Sequence, residues 1–283
     1  GARQFEPPFS GDAVLLLTNS WRSAFVPWAA GVPRRVGYAR DGRAWMLTDR
    51  LRPLRLGGDY VPVPILPYYA DLAERLGVRV TDRRLRLGVT DEQEAAGRQL
   101  AEHHGWPARY AVINPGAAFG AAKCWLPERF AEVCDRLTDE LDLRPVIVGA
   151  PGEVPLMERI AGLARRSPVV CAAPGTTLGS LKAVIRGAAL LVCNDTGPRH
   201  YGQAFGVPTV TVFGPTYQEW TDTDWPGEIK LQAEVPCGPC QLKRCPLDHA
   251  CMTRVTADEV LAAARRLLAA GGVTTTGAAQ VRT

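Results

Sequence analysis

The chain has 283 residues, a length that suits two modest domains, and 46% hydrophobic with 22% charged residues is the composition of a globular protein. The net charge of +4 is too small to indicate a nucleic-acid-binding protein, and the basic residues do not cluster beside aromatic ones. The sequence contains no run of 18 apolar residues, so no transmembrane helix is predicted. Residues 1–10 lack the apolar segment of a signal peptide. The expected location is therefore cytoplasmic.

Short apolar runs alternate with helical stretches, a pattern typical of βαβ units and a parallel sheet. The N-terminal part is predicted to contain one buried strand, Ala13–Thr18, and three helices, Ser20–Ala30, Ile65–Leu76 and Thr90–His104. Thr90 and Gln93 have the spacing of a capping box, which supports the start of the third helix. We expect the boundary between two domains within Arg83–Pro107.

After Pro107 the alternation becomes regular. Strands are predicted at Tyr110–Asn114, Pro145–Gly149, Val169–Cys171, Leu190–Asn194 and Thr209–Phe213, with helices at Pro127–Glu140, Val154–Arg165, Leu178–Arg186, Gly197–Phe205 and Thr256–Ala270. This predicts an open, doubly wound α/β sheet, whose ligands bind beyond the C-terminal ends of its strands. The expected division is a first domain over residues 1–100, a second over residues 101–272, and a frayed tail over residues 273–283.

Three loops that directly follow predicted strands carry groups suited to a phosphate. In the loop over residues 114–125, Gly116 lets the backbone approach a ligand and Lys123 adds a cation at the same rim. A plain loop with an exposed lysine is the alternative, because glycine-rich loops are common. In the turn after the last strand, Thr216 could bond a phosphate or ribose, or be only a turn residue.

The remaining loop, NDTGPRH over residues 194–200, opens a helix with a proline in its first turn. The N–H groups at Gly197 would then form an anion site at the positive end of the helix. Asp195 could bind a sugar hydroxyl, or Asp195 or Thr196 could simply cap the helix, and the spacing does not decide between these roles. His200, one turn along, could contact a phosphate or pack at the helix start.

Taken together, these segments resemble glycosyltransferase family 9, the bacterial heptosyltransferases, and within it the ADP-heptose:lipopolysaccharide heptosyltransferase II group. The stretches PGAAFGAAKCWLPERFAEV and NDTGPRHYGQAFGVPTVTVFGPT resemble the family's donor-domain signatures. LLLTNSWRSAFVPWAAGVPRRVGY resembles its acceptor-domain segment, and the resemblance covers Ala13 to Ala270.

The resemblance implies a GT-B fold of two Rossmann-like domains, the first of them incomplete here. The C-terminal domain would bind ADP-heptose and the N-terminal domain a lipid A–Kdo-type lipopolysaccharide acceptor. Transfer would invert the anomeric centre and require no cofactor. Because the acceptor is a lipid, the protein would associate at most peripherally with the inner membrane.

The resemblance also implies roles for individual residues. Lys123 matches the family's phosphate-contacting lysine, and Asp195 its donor-sugar carboxylate. Thr196 and Gly197 match its backbone contacts to the diphosphate. Glu153 stands where the family has an acidic contact to the ribose, and an exposed glutamate at a helix start is the alternative. On the acceptor side the resemblance points to Asn19, Ser20 and Arg22.

One departure from the family concerns the general base. Family members open with a strand and a Gly-Asp loop whose Asp takes the proton of the acceptor hydroxyl, but this sequence resembles the family only beyond that point. Asp12 is not its counterpart, because here the strand follows Asp12 instead of preceding it. Donor binding is therefore expected, and catalysis by these residues alone is in doubt. A non-catalytic nucleotide-sugar-binding relative and a GT-B enzyme using another nucleotide-sugar are the alternatives.

A cysteine cluster near the C-terminus allows a further interpretation. Cys237, Cys240, Cys245 and Cys251 have the spacing C-x2-C-x4-C-x5-C, which can wrap a structural Zn²⁺ or an iron–sulfur cluster. Reduced thiols, or a disulfide, are the alternatives. A metal- or redox-sensing module built around this cluster would be a third kind of function.

Overall fold

The structure, a computed structural model, describes residues 11–172 and 176–271. It divides into unit 1, formed by the residues up to Arg83 together with Glu219–Thr223, and unit 2, formed by the rest. The division falls at the start of the segment in which the sequence placed the domain boundary. The third predicted helix therefore belongs wholly to unit 2 and is not divided at residue 100. The N-terminal ten residues and the expected tail lie outside the described residues.

Unit 1 is built around a three-stranded parallel sheet of order β1-β2-β3. Only its first strand was predicted, because β2 contains two arginines and a glycine and β3 has three residues. A short antiparallel hairpin, β4-β5, follows the sheet. The elements are β1 (Ala13–Leu16), α1 (Trp21–Ala29), β2 (Arg34–Tyr38), β3 (Asp49–Leu51), β4 (Arg55–Leu56), β5 (Asp59–Tyr60) and α2 (Ile65–Glu74).

Unit 2 is a six-stranded, wholly parallel sheet with helices between its strands. Its elements are α3 (Asp91–His104), β6 (Tyr110–Asn114), α4 (Pro127–Leu141), β7 (Arg144–Val148), α5 (Val154–Leu163), β8 (Val169–Cys171), α6 (Leu178–Arg186), β9 (Leu190–Asn194), α7 (Gly197–Phe205), β10 (Thr209–Phe213), β11 (Glu228–Gln232), α8 (Ala250–Thr253) and α9 (Ala257–Ala269). The five strands predicted for this part are present, and β11 was missed.

The strand order β11-β10-β9-β6-β7-β8 is that of a Rossmann-type sheet. The chain enters at β6 in the middle, builds one side out to β8, and then returns to build the other side from β9. This reversal makes β6 and β9 the topological switch point, where ligands of such sheets bind. The predicted doubly wound α/β fold is confirmed.

Helices on both faces of this sheet bury its central strands completely. Along β6, Ile113 packs into the apolar cluster on one face and Val112 into that on the other. All five residues of β6, β9 and β10 are buried, as expected for parallel strands covered on both sides. The loops beyond the strand ends are thereby carried on a rigid frame.

Local signals place the helix ends. Thr90 and Gln93 form the predicted capping box at the start of α3, and Gly105 ends this helix in the left-handed conformation (φ 64°). None of the helices in the described part of the chain is long and apolar enough to cross a membrane.

Candidate functional site

Two asparagines close the switch point. Asn194, the last residue of β9, is fully buried; its amide donates to the Pro115 carbonyl at 2.6 Å and accepts from the Trp125 N–H at 3.1 Å. Asn114 ends β6 and donates to the Val148 carbonyl at the end of β7 at 3.0 Å. The loop after β6 is therefore held over the end of β9. No role was predicted for these asparagines from the sequence, although each ends a strand directly before one of the predicted phosphate-binding loops.

Trp125 fixes the other end of the same loop. It lies two residues before α4, and its ring meets that of Phe130, on the first turns of the helix, edge-on at 5.0 Å; the two residues form a hydrophobic staple. The indole N–H donates to the Val255 carbonyl at 3.1 Å. Lys123, two residues earlier, is thus held at the rim of the sheet.

Three of the predicted site residues meet at one carboxylate. The Lys123 ammonium forms an ion pair with Oδ2 of Asp195 and lies 3.3 Å from the Asp195 carbonyl oxygen. The Thr216 hydroxyl donates to the same Oδ2 at 2.9 Å. Asp195 is only 7% exposed. The loops after β6, β9 and β10 therefore converge on a buried acidic group with a cation at its outer side.

Helix α7 presents its N-terminus beside this group. Thr196 occupies the N-cap position, but its side chain makes no capping hydrogen bond. The Asp195 carboxylate is engaged by Lys123 and Thr216, so the interpretation of Asp195 as only a helix cap is wrong. A Cβ at Gly197 would have no other atom within 4 Å, which leaves the first turn of α7 open. The positive end of the dipole of this nine-residue helix lies at that space.

A second ion pair lies behind Asp195. The Arg199 guanidinium, fully buried, makes a two-pronged contact with Glu228 of β11, through Nε to Oε1 and through Nη2 to Oε2 at 2.9 Å. Its Nη1 lies 3.7 Å from Oδ1 of Asp195. Burial disfavours the Arg199 cation, but the hydrogen bonds and charge of Glu228 outweigh it and raise the pKa of Arg199. Thr211 and Gln203 donate to the Glu228 oxygens at 2.5 and 2.8 Å.

Sequence reasoning missed this pair. Arg199 was given no role of its own within the NDTGPRH motif, and Glu228 lies on the strand that was not predicted. The signal that could have found β11 is the alternation Glu-Ile-Lys-Leu-Gln over residues 228–232. Nothing in one sequence reports that Glu228 faces Arg199.

Gly116 and Glu153, both predicted to contact the donor, are brought together. A Cβ on Gly116 would overlap the Glu153 carboxylate. That carboxylate also accepts the Ala150 N–H at 2.8 Å, which holds it at the loop after β7. The glycine therefore makes room for an acidic group beside the switch point.

We expect Gly116→Ala to displace the Glu153 carboxylate with little effect on stability, because the clash is with the end of a flexible side chain. Because the resemblance assigns Glu153 to the ribose of the donor, we expect nucleotide affinity to fall by about tenfold, the effect of one lost hydrogen bond to a charged group. Calorimetric titration measures it. Gly152→Ala is the matched control, since a Cβ there meets no atom within 4 Å. If Gly116→Ala and Gly152→Ala bind the nucleotide with equal affinity, Glu153 does not contact it.

His200 lies half-buried on the second turn of α7, with Nδ1 3.0 Å from Oε1 of Gln203. Burial lowers the pKa of His200, and the nearby Arg199 acts in the same direction, whereas Gln203, Asp195 and Glu228 oppose the shift. A neutral imidazole is therefore present at neutral pH.

This shift predicts a pH dependence of stability. Since the pKa of His200 is lower in the folded than in the unfolded protein, the unfolded state binds more protons as the pH falls below about 6.5, and the free energy of unfolding decreases. Burial lowers the pKa of His104 as well, so both residues act in this direction. We expect His200→Gln to reduce the fall in melting temperature between about pH 7 and pH 5. His103→Gln, at an exposed position, is the control. If the melting temperatures of both variants fall equally with pH, the pH dependence does not come from His200.

The segment that carries the cysteine cluster packs on the loop after β6. The Ala122 N–H donates to the Lys243 carbonyl at 3.1 Å, and Nε2 of His249 lies 2.8 Å from the Ala122 carbonyl oxygen. The Gln241 N–H donates to the Pro215 carbonyl at 2.8 Å. This segment therefore braces two of the three site loops.

The metal centre predicted for this segment is not supported. Across residues 11–172 and 176–271, no group of three or more His, Cys, Asp or Glu side chains is placed to hold a metal ion. Cys237 is exposed whereas Cys251 is buried, so the thiols lie at different depths; all four are free. Burial raises the pKa of Cys251, and the neighbouring cysteines raise it further.

The residues predicted on the acceptor side lie at the start of α1 in unit 1. Ser20 caps this helix by accepting the Ser23 N–H at 3.2 Å, and Arg22 is exposed on its first turn. Asn19 accepts hydrogen bonds from Arg43 at 3.1 Å and Tyr68 at 3.0 Å. Arg43, which sequence analysis did not select, is fully buried and positions this loop.

Unit 2 thus combines a Rossmann-type sheet with an open helix N-terminus at its switch point, and the fold is that of the GT-B glycosyltransferases in the comparisons below. Residues 10–251 match the family described as glycosyltransferase family 9 (heptosyltransferase). The chain belongs to this family.

Relatives and solved structures agree. A lipooligosaccharide heptosyltransferase 2 of Campylobacter jejuni is 34% identical over 165 residues, 55% of this chain and 50% of that protein. A lipopolysaccharide heptosyltransferase 2 of Escherichia coli is 28% identical over 222 residues, 74% of this chain and 62% of that protein. The structure of a family 9 glycosyltransferase from Veillonella parvula has a TM-score of 0.74 at 24% identity, covering 93% of this chain and 75% of that chain. The ADP-heptose heptosyltransferase II of E. coli gives a TM-score of 0.69 at 22% identity, covering 90% and 75%.

The matches span 50–62% of the length of these two curated relatives. The activity, substrates and partners of the whole protein are therefore taken up as proposals.

Proposed function

We propose that unit 2 binds ADP-heptose and that the protein transfers its heptose to the inner core of lipopolysaccharide. One observation carries the proposal: Lys123, Thr216 and Asp195, from three different loops, converge beside the open N-terminus of α7 at the switch point. Such a site offers positive charge for a diphosphate and a carboxylate for sugar hydroxyls. Family membership supports the class of reaction.

The positive groups act on the leaving diphosphate. In the proposed reaction an acceptor hydroxyl attacks the anomeric carbon with inversion, and the bond to the ADP oxygen breaks. Negative charge then develops on the diphosphate, where the Lys123 ammonium and the N–H groups at Thr196 and Gly197 stabilise it. The proposal assigns no cofactor to this step, because these groups supply the charge that a metal ion supplies elsewhere.

The other predicted contacts are assigned to the rest of the donor. Asp195 accepts hydrogen bonds from heptose hydroxyls, and Glu153, beside Gly116, accepts from the ribose. Thr216 and His200 are assigned to the diphosphate side of the site, where the Thr216 hydroxyl donates to Oδ2 of Asp195 and Nδ1 of His200 faces Oε1 of Gln203. Each assignment remains part of the proposal.

The acceptor is assigned to unit 1. Arg22 is an exposed cation next to Asn19 and Ser20, and a lipid A–Kdo-type acceptor carries phosphate and carboxylate groups that an arginine binds in a two-pronged manner. The reaction needs a base within hydrogen-bond reach of the acceptor hydroxyl. Asp12 is not assigned this role; it is exposed, and its carbonyl oxygen accepts the Arg34 N–H at the start of the sheet. With a lipid acceptor, the proposed location is cytoplasmic, with at most peripheral association with the inner membrane.

Donor choice tests the proposal against the alternatives. We expect ADP-heptose to raise the melting temperature of the protein, with about 2.7 kcal/mol of added stability at a ligand concentration of 100 Kd, and UDP-sugars to have no effect. A shift with UDP-sugars alone would indicate a GT-B enzyme with another donor. If ADP-heptose binds, transfer of labelled heptose to a lipid A–Kdo acceptor separates a transferase from a relative that only binds the donor.

A further inference from the structure

Asp195 has two cations, and they differ in access. Lys123, on the outer side, keeps 12% of its side chain exposed, whereas Arg199, on the inner side, keeps none. Lys123 contacts Oδ2 and Arg199 faces Oδ1. The Lys123 ammonium also lies 5.0 Å from the centre of the Phe119 ring, at the mouth of the site.

This arrangement raises a conflict for Lys123. A diphosphate at the N-terminus of α7 attracts the nearest mobile cation, which is the ammonium now held by Asp195. Drawing it toward the phosphates weakens its ion pair with a carboxylate that is 7% exposed. A buried charge that loses its partner is costly, and that cost would be subtracted from the affinity for the ligand.

We propose that Arg199 is a positioning residue that serves as the second counter-ion of Asp195 and so releases Lys123 to the diphosphate of the ligand. This inference rests on the proposed donor site. With Arg199 3.7 Å from Oδ1 and Thr216 donating to Oδ2, Asp195 keeps a cation and a hydrogen bond when Lys123 moves outward.

Glu228 makes the arrangement possible. Arg199 lies in the first turn of α7, where the helix dipole disfavours a cation. The two-pronged contact with Glu228 offsets this effect and fixes the plane of the guanidinium, so that Nη1 points toward Asp195. The four charges of Lys123, Arg199, Asp195 and Glu228 sum to zero before the ligand arrives.

The experiment distinguishes binding of the diphosphate from binding of the nucleoside. Adenosine and ADP are titrated by calorimetry into the wild type, Arg199→Met/Glu228→Gln, Glu228→Gln and Arg199→Lys. The double variant removes the buried pair together and avoids an unpaired charge. We expect it to bind ADP at least about tenfold more weakly, since Lys123 is then the sole counter-ion of Asp195, and to bind adenosine as the wild type does. Arg199→Lys, which keeps a cation beside Asp195, should retain most of the ADP affinity. Glu228→Gln, which leaves the guanidinium without its two-pronged partner, should bind ADP with an affinity between those of the wild type and the double variant.

The outcomes are distinct. A folded double variant that binds ADP as tightly as the wild type, or that loses adenosine and ADP affinity equally, overturns the counter-ion role. The counter-ion role is also overturned if Glu228→Gln loses ADP affinity and the double variant does not. If the folded wild type binds neither ligand, the proposed donor site fails first, and the inference fails with it.

Discussion

Replacing Glu228 with alanine is expected to lower the free energy of unfolding by about 3–5 kcal/mol. The change leaves the Arg199 cation fully buried without its two-pronged partner, and it removes the acceptor of Thr211 and Gln203. Because natural domains are stable by only ~5–15 kcal/mol, this is a large share of the total. Urea denaturation followed by circular dichroism measures the change.

Glu158→Ala, at an exposed position on α5, is the matched control and should change stability by less than about 0.5 kcal/mol. Arg199→Met/Glu228→Gln should recover part of the loss, because it removes both charges. A Glu228→Ala variant as stable as the control would mean that the buried pair does not hold β11 and α7 together.

The second large effect concerns the sugar. Asp195→Asn should weaken ADP-heptose binding by roughly 10–100-fold, the value of hydrogen bonds to a charged group, and should leave ADP binding undiminished. The reason is that the carboxylate is assigned to heptose hydroxyls, while Lys123 becomes free to turn to the diphosphate. Calorimetric titration with both ligands measures the ratio of the two affinities.

Asp139→Asn, on α4, serves as the control for an acidic side chain outside the site. If Asp195→Asn reduces the affinities for ADP and ADP-heptose by the same factor, the sugar contact is refuted and the carboxylate acts only by holding the loops.

The sequence predicted the sheet of unit 2 well because its strands are buried on both faces and are therefore continuous apolar runs, such as Leu190–Asn194. It did not predict β2 or β11. Arg34 and Arg35 interrupt the apolar pattern of β2, and β11 alternates charged and apolar residues at the edge of its sheet. As an edge strand, β11 buries only part of its surface, so its composition is a weak signal.

Some residues of the candidate site could be predicted from the sequence and others could not. Lys123, Asp195 and Thr216 were found because each follows a strand at the edge where loops converge. Arg199 and Glu228 were not, because a buried ion pair is formed by tertiary packing between residues 29 positions apart, which one sequence does not reveal. The cysteine spacing allowed a structural metal or free thiols, and the spacing could not decide between them because it does not specify how the thiols are arranged in space.

The α7 terminus and Lys123 are proposed to form a diphosphate site. Calorimetric titration of ADP into the wild type, Lys123→Ala and Lys182→Ala tests it most directly; Lys182 lies on α6, where its ammonium donates to the Gly88 carbonyl at 2.8 Å. We predict that the wild type and Lys182→Ala bind ADP alike and that Lys123→Ala binds at least about tenfold more weakly. Equal ADP affinity of all three proteins, or no ADP binding by the folded wild type, would contradict the account.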